Sequence, residues 1–495
     1  MNDLLIFVST HLSSLFLLTV IVLATLYLLF ATNKSRWIIF FLLIWFPLES
    51  VLLRYTPIDY YSWVKYLPEG LLYLATLFSF FRYLFNKSRS GWHNPLIGWF
   101  LIYLAIAAIS FFINDYRLLV WLAGMRQLLR FVAIFFMVLF ENYNEEILKQ
   151  IMFVALAVIV IEAILGIIQY FAGGSLDKYL FFNQAFNYGG NLGDEGIQQF
   201  WAKGQRVFAT LGRYDRLGSF LASGFLMMFP WVYFIKDKKQ KFLLRASLFL
   251  IAFAIVLTYS RASWMAFVVG ILVVGYFIWK DKRVLRLGLW TIGIIASVLA
   301  LIVISRGFGV ATVDQSNQSL SDRALEAVSY YSWQQSYEGY GRVFFIINTP
   351  LMVTRYYPLF GVGPGNYGSG AAAALMNDAF YSRLHLPFGI QNIYGQIDNN
   401  WWSILGETGI LGLLCWLGIF VELIVGAIYV FKQSNRPFEQ VFAGGFVGVC
   451  AALMIMGFFG PYFEFRASMF YFWLWAGIMI CLWRKYHYRW NFLKK

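Results

Sequence analysis

The chain has 495 residues, of which 60% are hydrophobic, 20% aromatic and only 13% charged, about half the charged share of a soluble globular protein. Both a water-soluble enzyme and a disordered chain are excluded. The formal net charge of +14 follows from topology and anionic lipid, because no basic domain exists to hold a nucleic acid.

The apolar residues fall in runs of about 17 to 25, each long enough to cross a hydrocarbon core of roughly 30 Å as a helix. In chain order, spans are predicted near 10–32, 37–53, 66–85, 96–113, 118–140, 148–172, 217–235, 243–259, 262–279, 287–305, 400–431, 439–458 and 467–483. The fold class expected is therefore an all-α polytopic membrane protein with about 12 to 13 transmembrane helices. Runs such as Leu243–Leu257 and Ala262–Trp279 do not alternate polar with apolar, which excludes a β-barrel. Met1-Asn2-Asp3 lacks the basic region of a cleavable signal, so the first helix is expected to stay.

These spans divide the chain into N-terminal helices (1–172), an outer loop (173–216), central helices (217–305), a large, partly helical outer loop (306–399) and C-terminal helices with a cytoplasmic tail (400–495). Lys34/Arg36, Lys87/Arg89, Lys236 to Lys241, Lys280 to Arg286, Lys432/Arg436 and Arg484 to Lys495 fall on one side if the spans alternate. That side is the cytoplasm by the positive-inside rule, and any chemistry belongs to the long loops opposite. Cys415, Cys450 and Cys481 each fall within a span without zinc-like spacing, so neither a disulfide nor a metal site is expected. No internal repeat of the transporter kind is evident.

Charged residues in spans are costly and default to functional hypotheses. Arg126 and Arg130 share a face of the fifth span, and Glu162 lies at similar depth in the sixth. The bland reading is a buried Arg–Glu pair between the two helices, the sharper one a substrate contact. Glu422 has no obvious partner.

In the outer segments, Arg206, Arg213, Arg216, Arg261 and Arg342 recur beside glycine and aromatic residues. Guanidinium groups match phosphate oxygens in a planar two-point geometry, so several converging would suit a lipid diphosphate, against snorkelling arginines as the alternative. Gly361, Gly363 and Gly365 in Pro358–Tyr367 read as a tight turn without nucleotide-loop context. Asp398 and Asn399 stand at the mouth of the eleventh span, where Asp398 is either a helix N-cap or a general base facing the outer water. Tyr330, Tyr331, Trp333, Tyr337 and Tyr340 are candidates for stacking on sugar rings.

Four features, in this order, resemble the O-antigen ligase and O-antigen polymerase superfamily of bacterial envelope glycosyltransferases. They are Arg206–Leu221, the pair Ser260-Arg261, Gly341-Arg342 followed by Pro358–Tyr367, and the stretch from Asp398 through Glu407-Thr408-Gly409 to Gly412. The resemblance covers roughly residues 200–480. It implies a helical C-type membrane glycosyltransferase fold and an inverting, metal-independent enzyme without a cofactor. The implied donor is an undecaprenyl-diphosphate-linked oligosaccharide, and the site faces the periplasm or cell exterior from the bacterial inner membrane.

By matched motif, the diphosphate passes to Arg206, Arg261 and Arg342, with Arg213 and Arg216 from proximity, and Arg342 also counts among the catalytic residues. Ligases of the family resemble His-Asn where this chain has Asp398-Asn399. Asp398 is accordingly ranked first as base and His385, thirteen residues upstream, second. The missing histidine moves the reading toward a polymerase of lipid-linked repeat units for O-antigen, capsule or exopolysaccharide, with a chain-length regulator as a further partner. The alternatives are a ligase acting on lipid A core or a protein, a flippase that only binds the lipid diphosphate, and a non-enzymatic partner in an envelope-synthesis complex.

Overall fold

The computed structural model describes residues 35–85, 94–180, 206–290, 329–339, 341–375, 397 and 399–493, with a few isolated positions between them. Its described elements are helical, without a strand among the described residues. We number the helices α1 (Ser35–Arg54), α2 (Ile58–Phe85), α3 (Pro95–Asn114), α4 (Leu118–Leu129), α5 (Val132–Glu141), α6 (Glu145–Phe171), α7 (Asp177–Leu180), α8 (Tyr214–Met228), α9 (Lys238–Leu257), α10 (Arg261–Leu272), α11 (Tyr330–Glu338), α12 (Arg342–Tyr356), α13 (Gly370–Ala374), α14 (Asn400–Gln433), α15 (Pro437–Met456) and α16 (Arg466–Leu493).

Eleven of the predicted spans coincide with these helices, whereas 10–32 and most of 287–305 lie outside the described residues. Among the described residues, eight helices are long and apolar enough to cross a membrane, or nine if a bent pair counts as one. That pair is α4 and α5, predicted as one straight span over 118–140 but bent by 58°. Three helices, α11 to α13, lie within residues 306–399, expected from the sequence to form a large loop.

The core is built around α15 and α16, whose apolar windows are 78% and 83% buried, against 28% for α9 and for the α10 span. Packing rather than water exclusion has to hold such helices together in lipid, and small residues let backbones approach. Gly445 on α15 faces Leu226 and Met227 of α8, where an added Cβ would stand 2.9 Å from the Leu226 carbonyl oxygen. Trp416 and Trp473 meet edge to face at 6.3 Å between α14 and α16. Large apolar side chains such as Phe112, Phe153, Phe171 and Phe249 point outward, as a lipid-facing belt requires.

The two ends of the bundle differ in chemistry. At one end the basic connections gather: Trp279 stacks on Tyr233 and meets Phe431, Arg436 pairs with Glu145, and Lys485 pairs with Glu439. A cavity of about 580 Å3 lies there, lined by Asn142, Glu145, Arg436, Glu439, Arg484 and Lys485 among others. The opposite end carries the arginine-bearing segments.

Candidate functional site

The segment leading into α8 is fixed from three sides. Gln169 Oε1 on α6 accepts the backbone N–H groups of Phe208 (3.0 Å) and Ala209 (2.8 Å). The Thr210 backbone N–H donates to Glu162 at 3.2 Å and its hydroxyl donates to the same carboxylate. On α1, Ser50 Oγ donates to the Leu211 carbonyl at 3.2 Å. Glu162 is thus bound to Thr210, and the expected Arg126–Glu162 pair does not form. Depth along two helices set the two residues level, but the faces of those helices point to different neighbours.

These ties leave Arg206 buried with its guanidinium 4.8 Å over the Tyr214 ring. Arg213 forms a two-point pair with Asp215 at 2.8 and 3.1 Å, and the guanidinium of Arg216 lies 5.6 Å over Phe465. Arg216 Nε is buried and makes no hydrogen bond among the described residues. Arg261 opens α10 after its N-cap Ser260, and Arg342 opens α12 after Gly341.

Tyr462, in the short connection between α15 and α16, joins these pieces. Its hydroxyl meets Ser260, and it lies within electrostatic reach of Tyr214, Asp215 and Arg342. Burial raises its ionisation above the usual phenol range. Through Tyr214, Asp215, Tyr462 and Phe465, contacts therefore link Arg206, Arg213, Arg216 and Arg342, with the start of α10, to the segment Pro461–Arg466.

The same segment also carries or meets charges that sequence reasoning missed, Glu49, Glu69, Glu464 and Arg466. Arg466 donates from Nε to Glu49 Oε2 at 2.6 Å and from its other nitrogens to Glu69 and to the Lys65 carbonyl. Arg126 also grips Glu69, at 3.0 and 2.5 Å, and Arg130 stands 3.9 Å from it. Arg130 further donates to the Glu464 carbonyl. Glu464 Oε2 accepts from Gln127 (2.7 Å) and from the Gly370 backbone (3.0 Å). Burial raises the Glu464 carboxyl above the usual carboxylate range, opposed by those two donors and by Arg130. Glu49 and Glu69 lie inside predicted spans, so the rule that singled out Arg126 and Glu162 would have found them. Glu464 and Arg466 stand in a break too short to attract notice.

The glycine-rich turn is a strut. Gly361, Gly363 and Gly365 have φ of +66°, +100° and +80°, which favour glycine. The turn docks on a break in α14 at Gly409 (φ 66°): Val362 and Gly363 donate to the carbonyls of Gly406 (2.9 Å) and Glu407 (2.8 Å). The Gly365 N–H donates to Glu407 Oε1.

The N-cap of α14 is Asn399, whose side chain accepts from Trp402 N at 3.1 Å, so the cap reading of Asp398 passes to its neighbour. Asp398 and His385, the two sequence candidates for a base, lie outside the described residues, as does Tyr340. Tyr330, Tyr331, Trp333 and Tyr337 are exposed on α11. Among the described residues no group of three or more His, Cys, Asp or Glu is placed to hold a metal ion.

Residues 246–417 match the family model described as O-Antigen ligase, which supports the O-antigen ligase/polymerase superfamily for this chain. The matched stretch contains Arg261, Arg342, the glycine turn and Glu407, and excludes Arg206, Arg213, Arg216 and Arg466. No curated protein matches the chain.

Proposed function

With a ligase-type domain over residues 246–417 as premise, we propose that the protein is a membrane glycosyltransferase that polymerises oligosaccharide repeat units carried on undecaprenyl diphosphate. The observation that supports this reading is the linked set of contacts in which Arg342 lies in reach of Tyr462, Arg206 covers Tyr214, Arg213 pairs with Asp215 and Arg216 covers Phe465, at the end of the bundle opposite the basic connections. By the positive-inside rule that end faces the periplasm or cell exterior.

In the proposed reaction, the acceptor hydroxyl oxygen attacks the anomeric carbon from the face opposite the diphosphate. The carbon–oxygen bond to the diphosphate breaks, undecaprenyl diphosphate leaves with the bonding pair, and the hydroxyl proton goes to a base. The arginines, Arg261 among them, hold the diphosphate and stabilise the charge it gains without a metal. Fixed guanidiniums suit that task because they stay charged and need no reorganisation as the bond breaks. The base, on the sequence reading, is Asp398 or His385.

The experiment is product analysis with purified protein in nanodiscs, a defined oligosaccharide on undecaprenyl diphosphate and excess chelator, with and without lipid A core. A ladder of lengthening lipid-linked chains without lipid A core is the expected result. Product only in its presence would make the protein a ligase, and bound donor without covalent product would make it a lipid-diphosphate transporter.

A further inference from the structure

We infer that Glu49 of α1 is the group that receives the acceptor hydroxyl and takes its proton. This inference rests on the transfer reading above and concerns the half of the site away from the sequence-matched arginines.

Glu49 is 7% exposed. One of its oxygens, Oε2, is fixed by Arg466 at 2.6 Å. The other, Oε1, is buried and has no hydrogen-bond partner among the described residues. A buried carboxylate oxygen without a donor is costly, whereas a purely structural ion pair would gain from satisfying both oxygens. Its neighbour Glu69 contrasts with it, since Arg466 takes one Glu69 oxygen and Arg126 the other. Position separates the two carboxylates as well. Ser50, the next residue of α1, holds the loop of Arg206–Gly212 through the Leu211 carbonyl, and Arg216 of α8 lies within electrostatic reach of Glu49 itself.

The groups facing Glu49 are Arg466 from α16, Tyr61 and Lys65 from α2, and Arg216 from α8, each within electrostatic reach. Glu49 is thus in reach of Arg216 on α8 and is paired with Arg466 on α16. A base in an inverting transfer acts on the face of the anomeric carbon opposite the leaving group. Glu49 has one oxygen clamped by Arg466 and the other buried without a donor among the described residues, the place assigned to the acceptor hydroxyl. In the step, the acceptor O–H proton moves to Glu49 Oε1 as the oxygen bonds to the anomeric carbon. Once the product leaves, the proton passes to water.

The test compares wild type with Glu49→Gln in nanodiscs, measuring binding of the lipid-diphosphate oligosaccharide separately from the rate of chain extension. Glu49→Gln is expected to bind donor within about threefold of wild type and to extend chains about 100-fold more slowly or worse. Extension by Glu49→Gln within threefold of wild type would overturn the inference and leave the transfer reading standing. Absence of product from wild type would overturn both. Should Glu49→Gln not fold, Glu49→Asp keeps the charge for Arg466 and withdraws the oxygen by one methylene. Glu49→Asp is expected to bind donor like wild type and to extend chains at least about tenfold more slowly, and extension within about threefold of wild type would overturn the inference.

Discussion

The backbone N–H of Gly365 donates to Glu407 Oε1 at 2.8 Å, so the glycine turn of the outer loop is held by the residue two positions before the break in α14. Replacing Glu407 with Ala removes the acceptor and leaves a buried N–H unpaired, which costs about 1–3 kcal/mol. Glu407→Gln keeps a carbonyl oxygen there. Thermal unfolding in detergent, with proteolysis mapped over 358–367, should show Glu407→Ala destabilised and the turn cleaved sooner, and Glu407→Gln close to wild type.

At Gly409 a Cβ would overlap the Leu359 carbonyl, and φ is +66°. Gly409→Ala is therefore expected to lower stability by more than about 1 kcal/mol, because both the backbone and the packed turn must shift. The midpoint of unfolding checks this, and an unchanged midpoint would show that α14 tolerates a regular helix there.

Arg216 is predicted to be irreplaceable by lysine. A planar fork already laid over Phe465 can present two donors to a phosphate, whereas an ammonium is a single point. Arg216→Lys should retain the fold and extend chains about 100-fold more slowly, the scale of losing one fixed donor to a developing oxyanion. Chain-length distributions on gels at matched protein amounts read this directly.

A double-mutant cycle distinguishes the carboxylate that Arg126 binds. Arg126→Ala combined with Glu69→Gln should show a coupling of about 1 kcal/mol, kept modest because Arg126 is partly exposed. Combined with Glu162→Gln, the two effects should add to within about 0.5 kcal/mol. Coupling to Glu162 instead would mean that the pair drawn from depth alone forms after all.

Glu464 supplies a pH dependence. Its folded-state pKa is raised, so it contributes stability that is full below the unfolded carboxyl value of about 4.3 and is lost as pH rises through the folded value. Unfolding midpoints of wild type should thus fall relative to Glu464→Gln as pH increases, until the carboxyl is ionised in both states. A gap that stays constant across that range would show that Glu464 titrates alike folded and unfolded.

The helices were legible in the sequence because hydropathy reports what a bilayer imposes on each segment separately. The bend between α4 and α5 was not; Arg126 and Arg130 beside it contact Glu69 and the Glu464 carbonyl, partners far away in the sequence. The arginines at 206, 213, 216 and 342 were marked in the sequence by glycine and aromatic neighbours, but the side chains they meet, Tyr214, Asp215, Phe465 and Tyr462, follow only from the fold. Arg466 and Glu49 were not: they are 417 positions apart, and neither position alone suggests the other. Asn399 as the cap, in place of Asp398, turns on a single backbone step that composition does not resolve.

That separation bears on how the protein is made. α1 precedes α16 in the chain, so Glu49 is synthesised 417 positions ahead of its cationic partner Arg466. Until then an acidic side chain sits in a nascent bundle without Arg466, and Arg130 waits just as long for the Glu464 carbonyl. Insertion of α16 therefore brings the charge that Glu49 lacks until then. A chain cut short before Arg466 leaves the translocon with charges unmatched in the bilayer, a natural signal for membrane quality control to read.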